Sequence, residues 1–273
     1  MNESYYFLFV LMGYFTGFVF YFLNFETSNR TGRAFAAKIT WTILALHLCF
    51  FLLHYLRTGE MAVHTLAEYF YILSFIILLV SFYIESRFDA RFLMLFSLPV
   101  VMILCLLALL LTGRERAGLL SLDSWWLKLH TGLMLAGFAG LITAVSAALM
   151  YLIQSRQLKS KHIGNASFKL PPLETLDRVH FRALVWGVIL FSLGILCGFV
   201  SARDRQELME VLKDPKVDLS FAACAAYWVI LGLRLSSLRR GQKIAGGTVL
   251  VFILLFAILA GVYFTPQGFH KGY

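Results

Sequence analysis

With 60% hydrophobic and only 14% charged residues over 273 positions, this chain is too apolar for an ordinary soluble domain, which carries roughly 25% charged residues. Apolar stretches near twenty residues recur along its whole length, and about twenty residues cross a bilayer core of roughly 30 Å. The net charge of +9 does not mark a nucleic-acid binder, because the cations stand in short loops between apolar spans, where they set topology.

Eight helices are expected, over roughly 4–24, 37–57, 65–85, 91–112, 125–154, 179–201, 218–237 and 244–265. The expected fold class is therefore all-α, a polytopic integral membrane helix bundle, in one domain over 1–273. The first span, Tyr5 to Leu23, has no basic stretch before it and no small-residue cleavage site after it, and reads as a retained helix rather than a signal peptide. The second carries His47 and His54, seven residues apart. Two turns put them on one face, roughly 10 Å apart along the axis. An ionisable residue in a span is by default a functional candidate facing the bundle interior. The plainer reading of His47 is a neutral imidazole bonded to a neighbouring helix. His54, nearer the membrane surface, is the better ligand candidate. His64 follows in the next turn beside Glu60 and Glu68, and Glu68 is placed to pair with it.

The fifth span opens with Trp125-Trp126 and then His130, and it is too long for a simple crossing. The tryptophans read as ordinary interfacial anchors. The loop 155–178 carries Arg156, Lys159 and Lys161 and then Pro171-Pro172, which must be extended; Thr175 or Asp177 is suited to cap the helix that follows. His180 and Arg182 at the start of that helix read as solvated interfacial residues. The loop 202–217 mixes charges with Leu208, Met209, Val211 and Leu212 at helical spacing, which predicts a short amphipathic helix near 204–213 on the membrane surface, between helices six and seven. Cys49, Cys105, Cys197 and Cys224 stand singly in apolar spans, with no CxxC or CxxCH, so buried unreactive thiols are expected rather than a redox relay or a covalently attached haem.

Alternating the loops between two sides puts fifteen of the 24 cations on one side and nine on the other. The positive-inside rule makes the first side cytoplasmic. Both termini then face out, together with His54, His64, Trp125, Trp126, His130, the loop 202–217 and His270. From His130 to His270 the chain crosses four times, so the two share a face. Imidazole is the commonest neutral nitrogen ligand, and haem iron takes two axial ligands. The pair is a candidate haem clamp, with Arg203, Arg205 or Lys216 available to the propionates. The plainer reading of His270 is an idle tail residue.

No GxxxxGK[ST], HExxH or GxSxG motif is present, nor an Asp/Glu ladder inside the spans. No enzymatic reaction is expected.

Four segments resemble one family. They are Trp126-Leu127-Lys128-Leu129-His130; Leu170-Pro171-Pro172-Leu173-Glu174-Thr175-Leu176-Asp177-Arg178; Asp214-Pro215-Lys216; and Gly268-Phe269-His270-Lys271-Gly272. Over about 40–273 the chain is similar to the cytochrome c assembly superfamily, the CcsA/CcmC haem-handling proteins, and within it to the short HemX/YpjD-like branch. The second segment is close to that family's Leu-Pro-x-Leu-Glu-x-Leu-Asp-Arg linker. The resemblance implies a protein of the bacterial inner membrane that binds haem b non-covalently at the outer face, with His130 and His270 as axial ligands. It also implies that His54 or His64 corresponds to a further membrane histidine, and that Trp125, Trp126 and Asp214 line the site. Partners implied are haem, membrane lipid, and a cytochrome c maturation partner or a haem-synthesis enzyme. The family's tryptophan-rich haem motif has no match, because Ser201 to Asp218 contains no tryptophan. That departure favours an accessory or regulatory role of HemX type. It also motivates an alternative, a membrane scaffold that keeps the fold without transferring haem. A small-molecule transporter ranks third, since only Pro99 interrupts a span well inside it.

Overall fold

The computed structural model describes residues 3–27, 30–59, 65–88, 93–112, 125–160, 171–201, 209, 212–213, 215–236 and 241–264. Eight long helices fill the described chain: α1 (Glu3–Thr27), α2 (Arg30–Thr58), α3 (Leu66–Phe88), α4 (Leu93–Leu111), α5 (Trp125–Ser160), α6 (Leu173–Val200), α7 (Pro215–Leu235) and α8 (Gln242–Phe264). No strand occurs among the described residues. Lipid demands this result, because hydrocarbon offers no partner for backbone N–H and C=O groups and a helix satisfies them within one segment. The helices α1 to α7 are long and apolar enough to cross a membrane, and α8 is 23 residues long. The chain is an all-α, multi-pass membrane protein. Trp41, Leu52, Ile103, Leu196 and Ile253 are each more than half exposed, as expected of a surface made for lipid.

Two helices start well before the positions that hydropathy indicates. The helix α2 begins at Arg30 rather than near 37, and α6 at Leu173 rather than near 179. Hydropathy marks where a span leaves the hydrocarbon, whereas the hydrogen-bond ladder runs on through polar turns. Thr175 and Asp177 are therefore not caps: they lie inside the first turns of α6, and Pro172 immediately precedes the helix. Of the surface helix expected near 204–213, Met209, Leu212 and Lys213 are described and helical, with Met209 and Leu212 exposed. Its remaining residues lie outside the described residues.

The chain divides into two compact units, Met1–Leu120 with Ile153–Thr175, and Ser121–Leu152 with Leu176–Tyr273. In the first, α1 packs on α2 and α4, and α3 on α4. The helix α2 ends at Gly59, whose φ of 74° is costless only for glycine and whose N–H bonds the Tyr55 carbonyl at 2.8 Å. The next helix starts with a reciprocal cap. The Glu68 N–H donates to Thr65 Oγ1, and the Thr65 N–H donates to Glu68 Oε2, each at 3.2 Å. Glu68 thus closes a helix start, and His64, its expected partner, lies outside the described residues. At the far end of α3, Glu85 Oε2 accepts the Met94 N–H at 3.1 Å, satisfying an otherwise orphaned donor at the start of α4. Small polar residues line the α3–α4 contact: Ser81 Oγ donates to Ser97 Oγ at 2.8 Å, and Cys105 Sγ to Ser74 Oγ at 3.4 Å. Cys105 is buried as expected, but Cys49 is exposed, because its position on α2 turns away from the neighbouring helices.

In the second unit, Leu141, Leu184, Val188, Phe191, Tyr227 and Ile244 belong to one core that draws on α5, α6, α7 and α8. The helices α5 and α6 meet backbone to backbone. A Cβ built on Gly140 would lie 2.8 Å from Gly187 Cα, and one on Gly137 would lie 2.7 Å from the Phe191 nitrogen. Small residues permit such an approach in lipid, where van der Waals packing drives association. At the other end of α6, Asp177 pairs with Arg234 near the end of α7, and the Arg234 guanidinium lies 5.6 Å above the Phe181 ring. The Asp177 and Arg234 side chains are 29% and 17% exposed, between a surface pair and a buried one. Arg234→Ala is expected to cost about 1–2 kcal/mol, read as a lower thermal midpoint in detergent. An unchanged midpoint would rule out the ion pair as a clamp on α6.

Candidate functional site

His130 lies in the second turn of α5, behind exposed Trp125 and Trp126. Its imidazole rests on the last turns of α6, with Nδ1 2.7 Å from the Gly194 carbonyl oxygen. A carbonyl can only accept, so Nδ1 carries the proton and donates it. The other ring nitrogen, Nε2, then holds a lone pair, and His130 makes no second hydrogen bond among the described residues. This is the tautomer of a metal-binding histidine, in which a backbone carbonyl orients the ring. The end of α6 beside it is closed by Ser201, whose N–H bonds the Cys197 carbonyl at 3.0 Å and whose hydroxyl donates to the Gly198 carbonyl at 2.6 Å.

Gly198 is what lets the ring lie there. A Cβ on Gly198 would sit 2.8 Å from His130 Nδ1, 3.0 Å from Cε1 and 3.6 Å from Cγ. Composition and motif reading pass over Gly194 and Gly198. The signal that could have found them is their spacing, Gly194-Ile195-Leu196-Cys197-Gly198, a small-xxx-small pattern on an apolar helix.

His47 and His54 both lie on α2, in the first unit, whereas His130 belongs to the second. His54 is half-buried, with its ring centroid 6.1 Å from that of Phe50. His47 is fully buried and shares a hydrogen bond of 2.9 Å with the Tyr14 hydroxyl on α1. Its ring lies 3.7 Å from that of Tyr71 and 5.3 Å from those of Phe51 and Phe75. The plainer of the two readings of His47, a hydrogen-bonded core imidazole, describes this arrangement. Among the described residues, His47 Nε2 and the Tyr71 hydroxyl have no hydrogen-bond partner. A polar pair with an unmet donor or acceptor adds little, so its halves are expected to behave differently from the whole. Tyr14→Phe strands the second ring nitrogen and is expected to cost about 1–3 kcal/mol, while Tyr14→Phe with His47→Leu is expected to be close to neutral. Thermal unfolding of both variants checks this; a double variant worse than the single one would show that the imidazole contributes more than this pair.

His180 is not solvated. It is 3% exposed and lies 3.0 Å from the Thr248 hydroxyl of α8. That hydroxyl spends its hydrogen on the Ile244 carbonyl at 3.1 Å, so His180 Nε2 is the donor. The early start of α6 at Leu173 sets His180 two turns into the helix and against α8, while Arg182 stays exposed. His64, Arg203, Arg205, Asp214 and His270 lie outside the described residues. Among the described residues no three His, Cys, Asp or Glu side chains gather to hold a metal ion.

The family model described as "Cytochrome C assembly protein" matches residues 61–270. The chain is 23% identical to the cytochrome c biogenesis protein CcsA of Prochlorococcus marinus (strain MIT 9301), over 93% of this chain and 91% of that one. It is 27% identical to the protein HemX of Brevibacillus brevis, over 92% of each. The CcsA of Guillardia theta is 26% identical over 55% of each chain.

Proposed function

The chain belongs to the cytochrome c assembly protein family, and from that premise we propose that it binds haem b non-covalently at the outer face of a bacterial cytoplasmic membrane and assists cytochrome c biogenesis or haem trafficking. The observation that carries this reading is the His130 hydrogen bond to Gly194, which leaves Nε2 as the nitrogen that would hold the iron. His270, on the same face by the parity of the crossings, would be the second histidine to hold the iron. Arg203 and Arg205 would hold the propionates, and Trp125, Trp126 and Asp214 would border the site. His54 and His64 are candidates for a further membrane histidine. When bound, haem would supply an iron centre; the protein's part is to ligate, to shield with apolar side chains, and to present. Its partners are membrane lipid and a cytochrome c maturation partner or a haem-synthesis enzyme. Nucleic acid is not among them. Both termini face outward, and no covalent reaction is assigned to the chain.

The test is the haem content of the protein purified in mild detergent from haem-replete cells, read from its Soret band beside that of a His130→Ala, His270→Ala double variant. A band that the double variant keeps unchanged rules out axial ligation by these residues.

One observation favours a second reading, a scaffold or regulator of HemX type. Ser201 to Asp218 offers no tryptophan as a flat surface for the ring. On that reading the purified protein is free of haem, and a partner protein is retained only while the basic loop 156–169 is intact.

A further inference from the structure

The contact between His130 and α6 goes beyond one hydrogen bond. The imidazole occupies the volume that a side chain at position 198 would fill, and all three of the nearest atoms to a Cβ there belong to His130. The carbonyl that accepts Nδ1–H is that of Gly194, four residues earlier on the same helix. By helix geometry that oxygen also accepts the Gly198 N–H, and its two lone pairs allow both bonds. Donor, acceptor and space thus come from one turn of α6. Gly132, two residues from His130 on α5, has open space around it, so not every glycine here is under packing constraint.

We propose that Gly198 is a positioning residue for His130: by lacking a side chain it lets the Nδ1 edge of the imidazole come up against α6, where the Gly194 carbonyl holds the Nδ1–H tautomer and leaves Nε2 as the ligating atom. This rests on the haem-binding reading for its use, but the tautomer itself is a property of the haem-free protein. A methyl group at 198 forces the ring off the helix, because backbone lies behind it and the imidazole is the part that can move. The Nδ1–H bond is then lost, and with it the ring's fixed orientation. Losing the orienting partner of a metal-bound histidine typically weakens the site about 10–100-fold. An imidazole that no longer donates from Nδ1 is also a weaker electron donor to iron, so the reduction midpoint of bound haem rises.

The experiment uses the full chain in detergent micelles with 15N-labelled histidine. The His130 resonances are identified by their absence in His130→Ala. In the haem-free wild type His130 is expected as a single Nδ1–H tautomer, and in Gly198→Ala that tautomer is lost. Haem retention is expected to fall about 10–100-fold in the same variant, with a raised midpoint in the fraction that remains. Gly132→Ala is expected to match the wild type. Gly137→Ala strains the α5–α6 contact away from His130 and is expected to lower thermal stability while keeping the tautomer. Gly198→Ala with the wild-type tautomer overturns the proposal, whether or not haem binds. Haem retained by His130→Ala overturns the ligation reading alone. Should Gly198→Ala not fold, the paired variant Gly198→Ala, His130→Ala decides: removing the ring is expected to restore the thermal midpoint of His130→Ala, and failure to restore it overturns the proposal.

Discussion

Replacing His130 with alanine is expected to reduce haem retention by more than the roughly 10–100-fold that loss of an orienting partner alone produces. The variant removes the nitrogen proposed to ligate as well as the hydrogen bond to Gly194. The fold should tolerate it, because the ring lies half-buried at the end of the α5–α6 contact and its removal leaves Gly194 and Gly198 in an unbroken helix. The Gly194 carbonyl keeps its helical partner, so no buried acceptor is orphaned. The expected pattern is therefore a lost Soret band with a nearly unchanged thermal midpoint. Free imidazole added to His130→Gly should recover part of the band, since the volume beside Gly198 is then vacant. A band that persists in His130→Ala at wild-type intensity would leave the family membership standing and remove this histidine from the site.

The second large effect is expected where no ligand is involved. Gly140→Leu should destabilise the protein by about 3 kcal/mol or more, beyond the usual range for overpacking. A Cβ at 140 would meet Gly187 Cα at 2.8 Å and Gly187 N at 3.0 Å, and one at 187 would meet the Leu141 nitrogen at 2.8 Å. These are backbone atoms and cannot rotate aside as a side chain tip can. The two helices must part, which also withdraws Leu141, Leu184, Val188 and Phe191 from their common core. Gly232→Leu on α7, where nothing lies within 4 Å, is the matched control and should change the midpoint little. Equal losses in the two variants would mean that helix propensity, not the close contact, sets the cost.

The candidate site divides along the same line. His130 is legible in the sequence because it stands just inside an apolar run behind two interfacial tryptophans, and its segment resembles the family's helix start. Gly194 and Gly198 are not, because an apolar helix holds many small residues and only the facing helix decides which ones matter. His180 illustrates the opposite failure. Charged neighbours Asp177, Arg178 and Arg182 make it read as solvated, yet the helix turns it onto Thr248, 68 residues away. Asp177 reads as a cap and instead reaches Arg234, 57 residues on. His47 was legible as a residue with two possible lives, and the choice between them waited on Tyr14 of a different helix.

What the chain alone determines is what hydropathy and local hydrogen bonding can carry. That includes an all-helical membrane protein and the order of its long helices. These follow because every residue of a span meets lipid or another helix, and each backbone group must be satisfied within its own segment. Tertiary structure alone decides which histidine is a hydrogen-bonded core residue and which one rests on a backbone carbonyl at a helix end. It also decides which glycines are contact surfaces, and that one imidazole donates to a carbonyl 64 residues distant. The reason is that hydropathy sums over one strand of sequence, whereas a tautomer or a backbone contact is set by the shape of a second surface that no local window contains.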